Sequence, residues 1–433
     1  MASAERRIST AKGSKGKVTW RVRYLKPDGS RGSETGFPTK RTALAWGEEQ
    51  EAAIRAGRWI DPDLQRKTFG EFARYFMAQR RKRGATDSKR WDLLDQHILP
   101  KWEHVPLNQI TWFDVDGWAQ RLPCAESTAG HTVSLMSTIL TAAVDARHLA
   151  ANPLFGRRRT SKAATIPAPS EDLGAEEAWF DPPAVIRVAH RLGPANGMHV
   201  LTTAFTGLNW GEGLALSPAS RRIRQQPHDG GVFSCPVLRV SQEVAEYRER
   251  GDDGSRLGTV LRMEPTKNAH RIRDIDIPPF LDHMVCWHVE CNPHLKWMFC
   301  TQSGQWWRRS NWGKVMRPAC DGRPERARRQ GVAHREAWGP LAPGLTMRKL
   351  RHFHDTCQEQ IGVRDALAYE QAGHKRPGIK AVYQHPTPAM RQERLDGLQG
   401  IFERALVHAS LPADSWIWQA LAGRPEAALA LTA

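Results

Sequence analysis

The sequence predicts a multidomain protein: a small β-rich N-terminal unit, an all-α domain, then a mixed α+β, mainly helical, C-terminal domain. Three observations lead there. A period-two alternation stands near the N-terminus, helical periodicity with almost no strand signal fills the next ninety or so residues, and strand and helix signals mix after residue 176. A chain of 433 residues has a prior of about two to four domains.

Residues 1–14 are mostly Ser, Ala, Lys and Arg, which predicts a mobile basic arm. Over Val18 to Leu25, Trp20, Val22 and Tyr24 alternate with Arg21 and Arg23, the pattern of a half-exposed strand. Lys26 to Ser30 has turn chemistry, so a hairpin follows, and a helix over residues 40–56 completes a unit of three strands and a helix within residues 1–60. Its arginine-bearing sheet face reads equally as a DNA-groove surface and as a solvated face.

A capping box at Thr68 and Glu71 opens a helix predicted from Phe69 to Arg81, and further helical patterns cover 88–98, 111–121 and 127–147. Together they predict a compact helical domain at 66–155. The stretch 156–175, with Arg157, Arg158 and Arg159, reads as an exposed basic linker to a domain at 176–409, followed by a tail at 410–433.

Sixty-three Lys and Arg against forty-six Asp and Glu give a formal charge of +17, which suits a polyanionic partner and salt-dependent binding. No apolar run approaches the roughly 20 residues of a membrane span. A soluble cytoplasmic, nucleoid-associated protein with no membrane partner is expected. Seven cysteines without framework spacing argue against a disulfide scaffold. Cys286, Cys291 and Cys300 with His283, His288 and His294 have the residue types of a zinc site, but residues 283–290 read better as an ordinary helix and Trp297 to Thr301 as a buried strand.

The segment Thr346 to His385 is the most informative. Leu350, Phe353, Cys357 and Ile361 recur at helical spacing, predicting an amphipathic helix over 347–361 with Arg351 near its entry. A second helix over 363–372 stops at Gly373, so His374 lies just beyond a helix end. Pro377 and Pro386 bracket a third short helix that carries Tyr383. An arginine, an imidazole and a phenol so spaced point to phosphate chemistry.

Arg348-Lys-Leu-Arg351-His352, Gly373-His374 and Tyr383 resemble, in order and spacing, the second motif box of the tyrosine recombinase (phage integrase) family. Thr206-Gly-Leu-Asn209-Trp-Gly-Glu212 through Leu216 resembles the first box. His97 to Pro100, Pro106 to Thr111 and Ala151 to Pro153 are similar to the family's core-binding domain, and the N-terminal unit resembles its arm-binding domain, so the resemblance covers nearly the whole chain.

The resemblance implies a metal-free and cofactor-free reaction. Tyr383 would attack the scissile phosphodiester, forming a 3′-phosphotyrosyl link and freeing a 5′-hydroxyl, while arginines clamp the non-bridging oxygens. Arg351 is one clamp and His374 a hydrogen-bond donor. Lys267, in the turn of a hairpin predicted over 261–278, matches the lysine that protonates the leaving oxygen. Glu212 would orient cationic neighbours.

Two positions depart from the pattern. The box-one arginine is Asn209, and the box-two histidine is Arg348, whose charge is expected to compensate for the neutral asparagine.

His352 reads as a structural histidine, and the Arg-rich stretch 317–335 as an exposed loop. The family also implies double-stranded DNA as partner, a homo-tetramer on two DNA sites, and an accessory DNA-bending or directionality factor. A helical stripe of Leu395, Leu398, Ile401, Phe402 and Leu406 suits either docking on a neighbouring subunit or the chain's own core. Site-specific recombination, integrating or excising a phage or mobile element, is the leading functional expectation. A catalytically impaired homologue that competes for DNA as a regulator is the runner-up, and a related strand-passing topoisomerase the third.

Overall fold

The computed structural model describes residues 2–8, 18–79, 84–159, 179–251, 254–328, 330–331, 333–376, 378 and 384–422. They form two compact units: Met1–Ile166 with Glu249–Leu257, and Pro167–Arg248 with Gly258–Ala433. No helix among the described residues is long and apolar enough to cross a membrane.

In the first unit, strands β1 (Ser3–Ile8), β2 (Val18–Leu25) and β3 (Arg31–Phe37) make an antiparallel sheet in that order. Helix α1 (Lys40–Arg55) packs on the face that carries Val22 and Tyr24, both buried. The packing is close enough that a Cβ on Gly47 would lie 2.7 Å from Val22 Cγ2. The other face carries Arg7, Arg21, Arg23 and Arg31, since cross-strand partners share a face. Only one strand of this sheet departs from the sequence reading: residues 3–8, expected in a mobile arm, pair along β2.

Helices α2 (Pro62–Gln65), α3 (Phe69–Gln79), α4 (Gly84–Leu93), α5 (Leu99–Trp102), α6 (Trp112–Gln120) and α7 (Glu126–Asp145) complete the unit. The capping box forms as expected: Thr68 N–H donates to Glu71 Oε2 at 3.0 Å, and Glu71 N–H to Thr68 Oγ1 at 3.3 Å. A wide π-turn over Leu94–Ile98 joins α4 to α5 and buries Leu94 and Ile98. Phe69, Phe72, Met77, Leu107, Met136 and Ile139 lie at the centre of the core. Asn152 of the Ala-Asn-Pro motif staples the end of the unit to α7, donating to Ser137 O at 3.0 Å and Thr141 Oγ1 at 2.8 Å.

The second unit is built around α8 (Pro182–Thr206), which breaks at Gly193, where φ is 74° and Pro194 follows. Around it lie α9 (Trp210–Leu214), α10 (Pro279–Cys291), α11 (Arg309–Asp321), α12 (Met347–Gln360), α13 (Asp365–Ala372), α14 (Pro388–Ala409) and α15 (Trp416–Ala422). Phe280 and Phe402 stack at 3.6 Å between ring centres, with Phe205 edge-on to both. Strands β4 (Arg221–His228) and β5 (Gly231–Val240) meet at Asp229 and Gly230, both with positive φ, the hairpin turn that an Asp-Gly pair favours. β8 (Arg273–Asp276) adds to β5, while β6 (Gln242–Arg250) and β7 (Arg256–Pro265) form a separate hairpin.

The sequence reading is corrected at four further places. β7 pairs with β6 and β8 with β5, so Lys267 does not sit in a hairpin turn between β7 and β8. A 3-10 turn at Ala269–Arg271 redirects the chain between sheets. Residues 297–301 are irregular rather than a strand, although Met298, Phe299 and Cys300 are buried and Met298 N–H donates to Leu216 O at 2.9 Å.

Residues 317–321 of the Arg-rich stretch belong to α11, and beyond them Arg323 pairs with Trp338 and Arg326 with Arg335. Within the expected tail, α15 buries Trp416, Ile417, Ala420 and Leu421 in the core, because a seven-residue helix with those apolar positions packs on α10 and on the middle of α8, where Trp416 Nε1 donates to His190 O at 3.2 Å.

The stripe on α14 is intramolecular. Leu395, Leu398, Ile401, Phe402 and Leu406 are all buried within the unit. Arg391 and Arg394 anchor the same helix on Asp276 of β8, at 2.8 and 2.6 Å, and Arg224 reaches that carboxylate at 2.8 Å. Burial alone would raise the Asp276 pKa; the charges of Arg394, Arg391 and Arg224 outweigh it and hold it below the ordinary value.

Candidate functional site

The two boxes converge on the C-terminal ends of α8 and α13. Gly207 ends α8 with φ 67°, and Gly373 ends α13 with φ 66°, both in the left-handed region. Helix α12 starts at the Thr346 cap, whose Oγ1 accepts from Lys349 N–H at 3.2 Å, and its predicted stripe is real: Leu350, Phe353 and Cys357 are buried. That face fixes α12 and aims Arg351 at both helix ends.

Arg351 Nη1 donates to Gly207 O at 2.7 Å, and Nη2 donates to Ala372 O at 3.1 Å. Carbonyl ends of helices carry partial negative charge, so both ends stabilise the guanidinium. Nη2 also lies 3.3 Å from His374 Nε2. As Arg351 has only donors, Nε2 accepts and the imidazole proton is assigned to Nδ1. Burial lowers the His374 pKa, and the charges of Arg351 and Arg271 lower it further, so the ring is neutral at pH 7.

Behind them lies a buried ion pair. Glu212, fully buried, takes hydrogen bonds from Arg273 at 3.2 and 3.0 Å and from Asn209 N–H at 3.1 Å. Burial pushes the Glu212 pKa up, but the charge and hydrogen bonds of Arg273 outweigh it, and the carboxyl titrates below its ordinary value. Arg273 also donates through Nε to Gln371 O at 2.7 Å, and Gln371 Nε2 donates to Thr206 O at 3.2 Å. Box one, β8 and α13 are thereby tied together.

Of the residues singled out in the sequence, Asn209, Glu212, Arg351 and His374 are brought into this one region. Asn209 opens α9. Arg348 is exposed on the first turn of α12, three residues before Arg351 and therefore on the same helix face. Lys267 is exposed in the link between β7 and the 3-10 turn. Tyr383, with the short helix expected around it, lies outside the described residues. His352 is exposed, not the buried structural histidine expected, because the buried ring on α12 is His354.

Sequence reasoning missed Arg273 as Glu212's partner. The signal was there: alternation placed Arg273 on the same face as Ile275 and Ile277, and a charge on an apolar face needs a buried counter-charge. The cysteine and histidine cluster is dispersed. His288 Nε2 lies 2.8 Å from Met298 O, and among the described residues no group of three or more His, Cys, Asp and Glu is placed to hold a metal ion.

No protein-family model matches the chain. It is 25% identical over 389 residues to "Putative prophage phiRv2 integrase" of Mycobacterium tuberculosis strain CDC 1551 / Oshkosh, covering 86% of this chain and 90% of that protein. The same figures hold for the protein of that description from strain ATCC 25618 / H37Rv. Among solved structures, the Tn1549 transposon integrase in complex with a circular intermediate DNA shares the fold, at a TM-score of 0.50 and 15% identity over 78% of this chain and 99% of that one. A second such complex gives a TM-score of 0.50 and 14% identity over 73% and 97%. The chain is thus similar along most of its length to putative prophage integrases and shares its fold with the Tn1549 transposon integrase, in line with the resemblance of its motifs to the tyrosine recombinase (phage integrase) family.

Proposed function

We propose that the chain catalyses site-specific DNA recombination, integrating or excising a phage or mobile element through a 3′-phosphotyrosyl intermediate. The observation that carries this reading is the placement of Arg351. Its guanidinium is held at two helix ends beside His374, a positioned charge for a phosphate. Tyr383 follows His374 by nine residues.

The Tyr383 oxygen attacks the scissile phosphorus, the new P–O bond replacing the bond to the 5′-oxygen. Arg351 grips a non-bridging oxygen as charge grows in the transition state, and His374 donates a hydrogen bond to another. Lys267 gives the departing oxygen its proton, and the phenol loses one, so the step is proton-neutral overall. Arg348 adds positive charge from the solvent side. Glu212 acts through Arg273 rather than on DNA. One phosphoester is exchanged for another, which is why neither metal nor nucleotide is required.

Double-stranded DNA is the partner, and the arginine face of the N-terminal sheet, with the charge of +17, supports salt-sensitive binding. Four copies acting on two DNA sites, with an accessory DNA-bending or directionality factor, complete the proposed assembly. Since α14 buries its stripe internally, contacts between copies use other surfaces.

The test is covalent capture. A pool of nicked duplexes with randomised cores, incubated with the purified chain, should yield protein–DNA adducts that survive denaturation, and Tyr383→Phe should yield none. Tight DNA binding with no adduct from the wild-type chain would favour the regulator instead.

A further inference from the structure

Asn209 leaves the proposed phosphate site one guanidinium short, and the approach to β8 brings two arginines to that side. Arg273 is committed. Its side chain is 4% exposed and its donors are taken by Glu212, Gln371 O and Arg271 O. Arg271 is held differently: its side chain is 24% exposed, and Nη1 lies 3.8 Å from Glu212 Oε1 and 3.9 Å from Glu243 Oε2. These distances exceed hydrogen-bond length, so the two carboxylates aim the guanidinium without closing its fork.

The backbone places Arg271 beside the imidazole. A Cβ on Gly373, the residue before His374, would lie 3.2 Å from Arg271 Cα. Arg271's charge also lowers the pKa values of both His374 and Arg351. Arg271, Arg351 and His374 are therefore neighbours, and the buried Glu212–Arg273 pair lies beside Arg271.

We infer that Arg271 is the second phosphate-gripping arginine of this chain, donating to a non-bridging oxygen of the scissile phosphate in place of the arginine missing at Asn209. The assignment rests on the recombinase reading above and names a residue that neither motif box contains. Arg271 reaches the site from the strand side of box one, so the positive charge is conserved in space while its position in the sequence changes. Arg348, on the solvent side, is the auxiliary charge.

The experiment uses the full chain and a nicked duplex selected by covalent capture on the wild-type protein. Cleavage by Arg271→Ala should fall roughly 100- to 1,000-fold, the typical loss of one preorganised donor to a developing oxyanion. Arg271→Lys, which keeps charge but not the fork, should fall between. Arg348→Ala should lose less than about tenfold, the smaller effect of a charge without a fixed hydrogen bond.

A duplex with a methylphosphonate at the scissile position lacks one anionic oxygen, so the deficit of Arg271→Ala should largely vanish on it. A misfolded variant would be equally poor on both substrates. Wild-type-like cleavage by Arg271→Ala, or an equal deficit on the methylphosphonate, overturns the assignment and leaves the recombinase reading intact. Failure of the wild-type chain to form any adduct overturns that reading and this inference with it.

Discussion

Replacing Glu212 with glutamine preserves shape and removes one charge from a place where water cannot compensate. The carboxylate is fully buried and receives both terminal nitrogens of Arg273, itself 4% exposed. Glutamine keeps one acceptor and turns an NH2 group towards the guanidinium. Breaking a buried pair by removing one partner costs about 3–5 kcal/mol. For a domain of about 150–250 residues, each kcal/mol lowers Tm by about 2–4 °C, so Glu212→Gln should melt about 6–20 °C lower.

The effect carries a pH signature. Glu212 has a folded pKa below its unfolded value of about 4.5, so its stabilisation is fully present above that pH and lost as pH falls through the folded pKa. The gap between wild type and variant should therefore narrow in acid. Urea titrations at pH 7.5 and pH 3.5 measure it. A loss below about 1 kcal/mol, or a gap unchanged at the lower pH, would refute the reasoning.

Two further outcomes are expected. His199 is buried against Phe299, at 4.6 Å between ring centres, and burial pulls its pKa down to about 3. The unfolded chain takes up a proton near pH 6.5 that the folded chain refuses, so stability falls by about 1.4 kcal/mol per pH unit below that value. His199→Phe should remove about 2 kcal/mol of the loss between pH 6.5 and 5.0, and an unchanged acid slope in denaturant titrations would contradict this. Gly373→Ala should cost more stability than Gly362→Ala. Both have positive φ, for which about 1–2 kcal/mol is expected, but only at Gly373 would the new Cβ meet Arg273 Nη1 at 3.0 Å and Arg271 Cα at 3.2 Å. Paired thermal melts and cleavage rates check it, and equal effects would remove the close approach as a cause.

What the sequence disclosed followed local rules. The α12 stripe, the Gly373 cap and the Thr68–Glu71 box each depend on residues a few positions apart, and each is found. What stayed hidden depended on partners distant in the chain. β1, with almost every side chain exposed, shows no alternation because its place rests on backbone pairing with β2. The alternation in β8 holds for Arg273, Ile275 and Ile277, all buried, yet alternation assigns faces, not neighbours, and does not disclose the pairing with β5. Asp276 shows the limit. On the exposed phase of the pattern, it is fully buried because three arginines from β4 and α14 converge on it.

The anchoring of α14 bears on whose phosphate Tyr383 reaches. Thr387 caps α14, which Arg391 and Arg394 lock to Asp276. Tyr383 lies four positions before Thr387 and nine after His374, both of which belong to the same unit. At about 3.3–3.6 Å per residue, the Tyr383 Cα stays within about 14 Å of the Thr387 Cα, whatever path the chain takes. The proposed nucleophile is thus on a short leash with both ends tied to its own protomer. On the function proposed above, each active centre is expected to draw Tyr383 and Arg351 from one chain, and a mixture of Tyr383→Phe and Arg351→Ala chains should gain no cleavage by sharing parts.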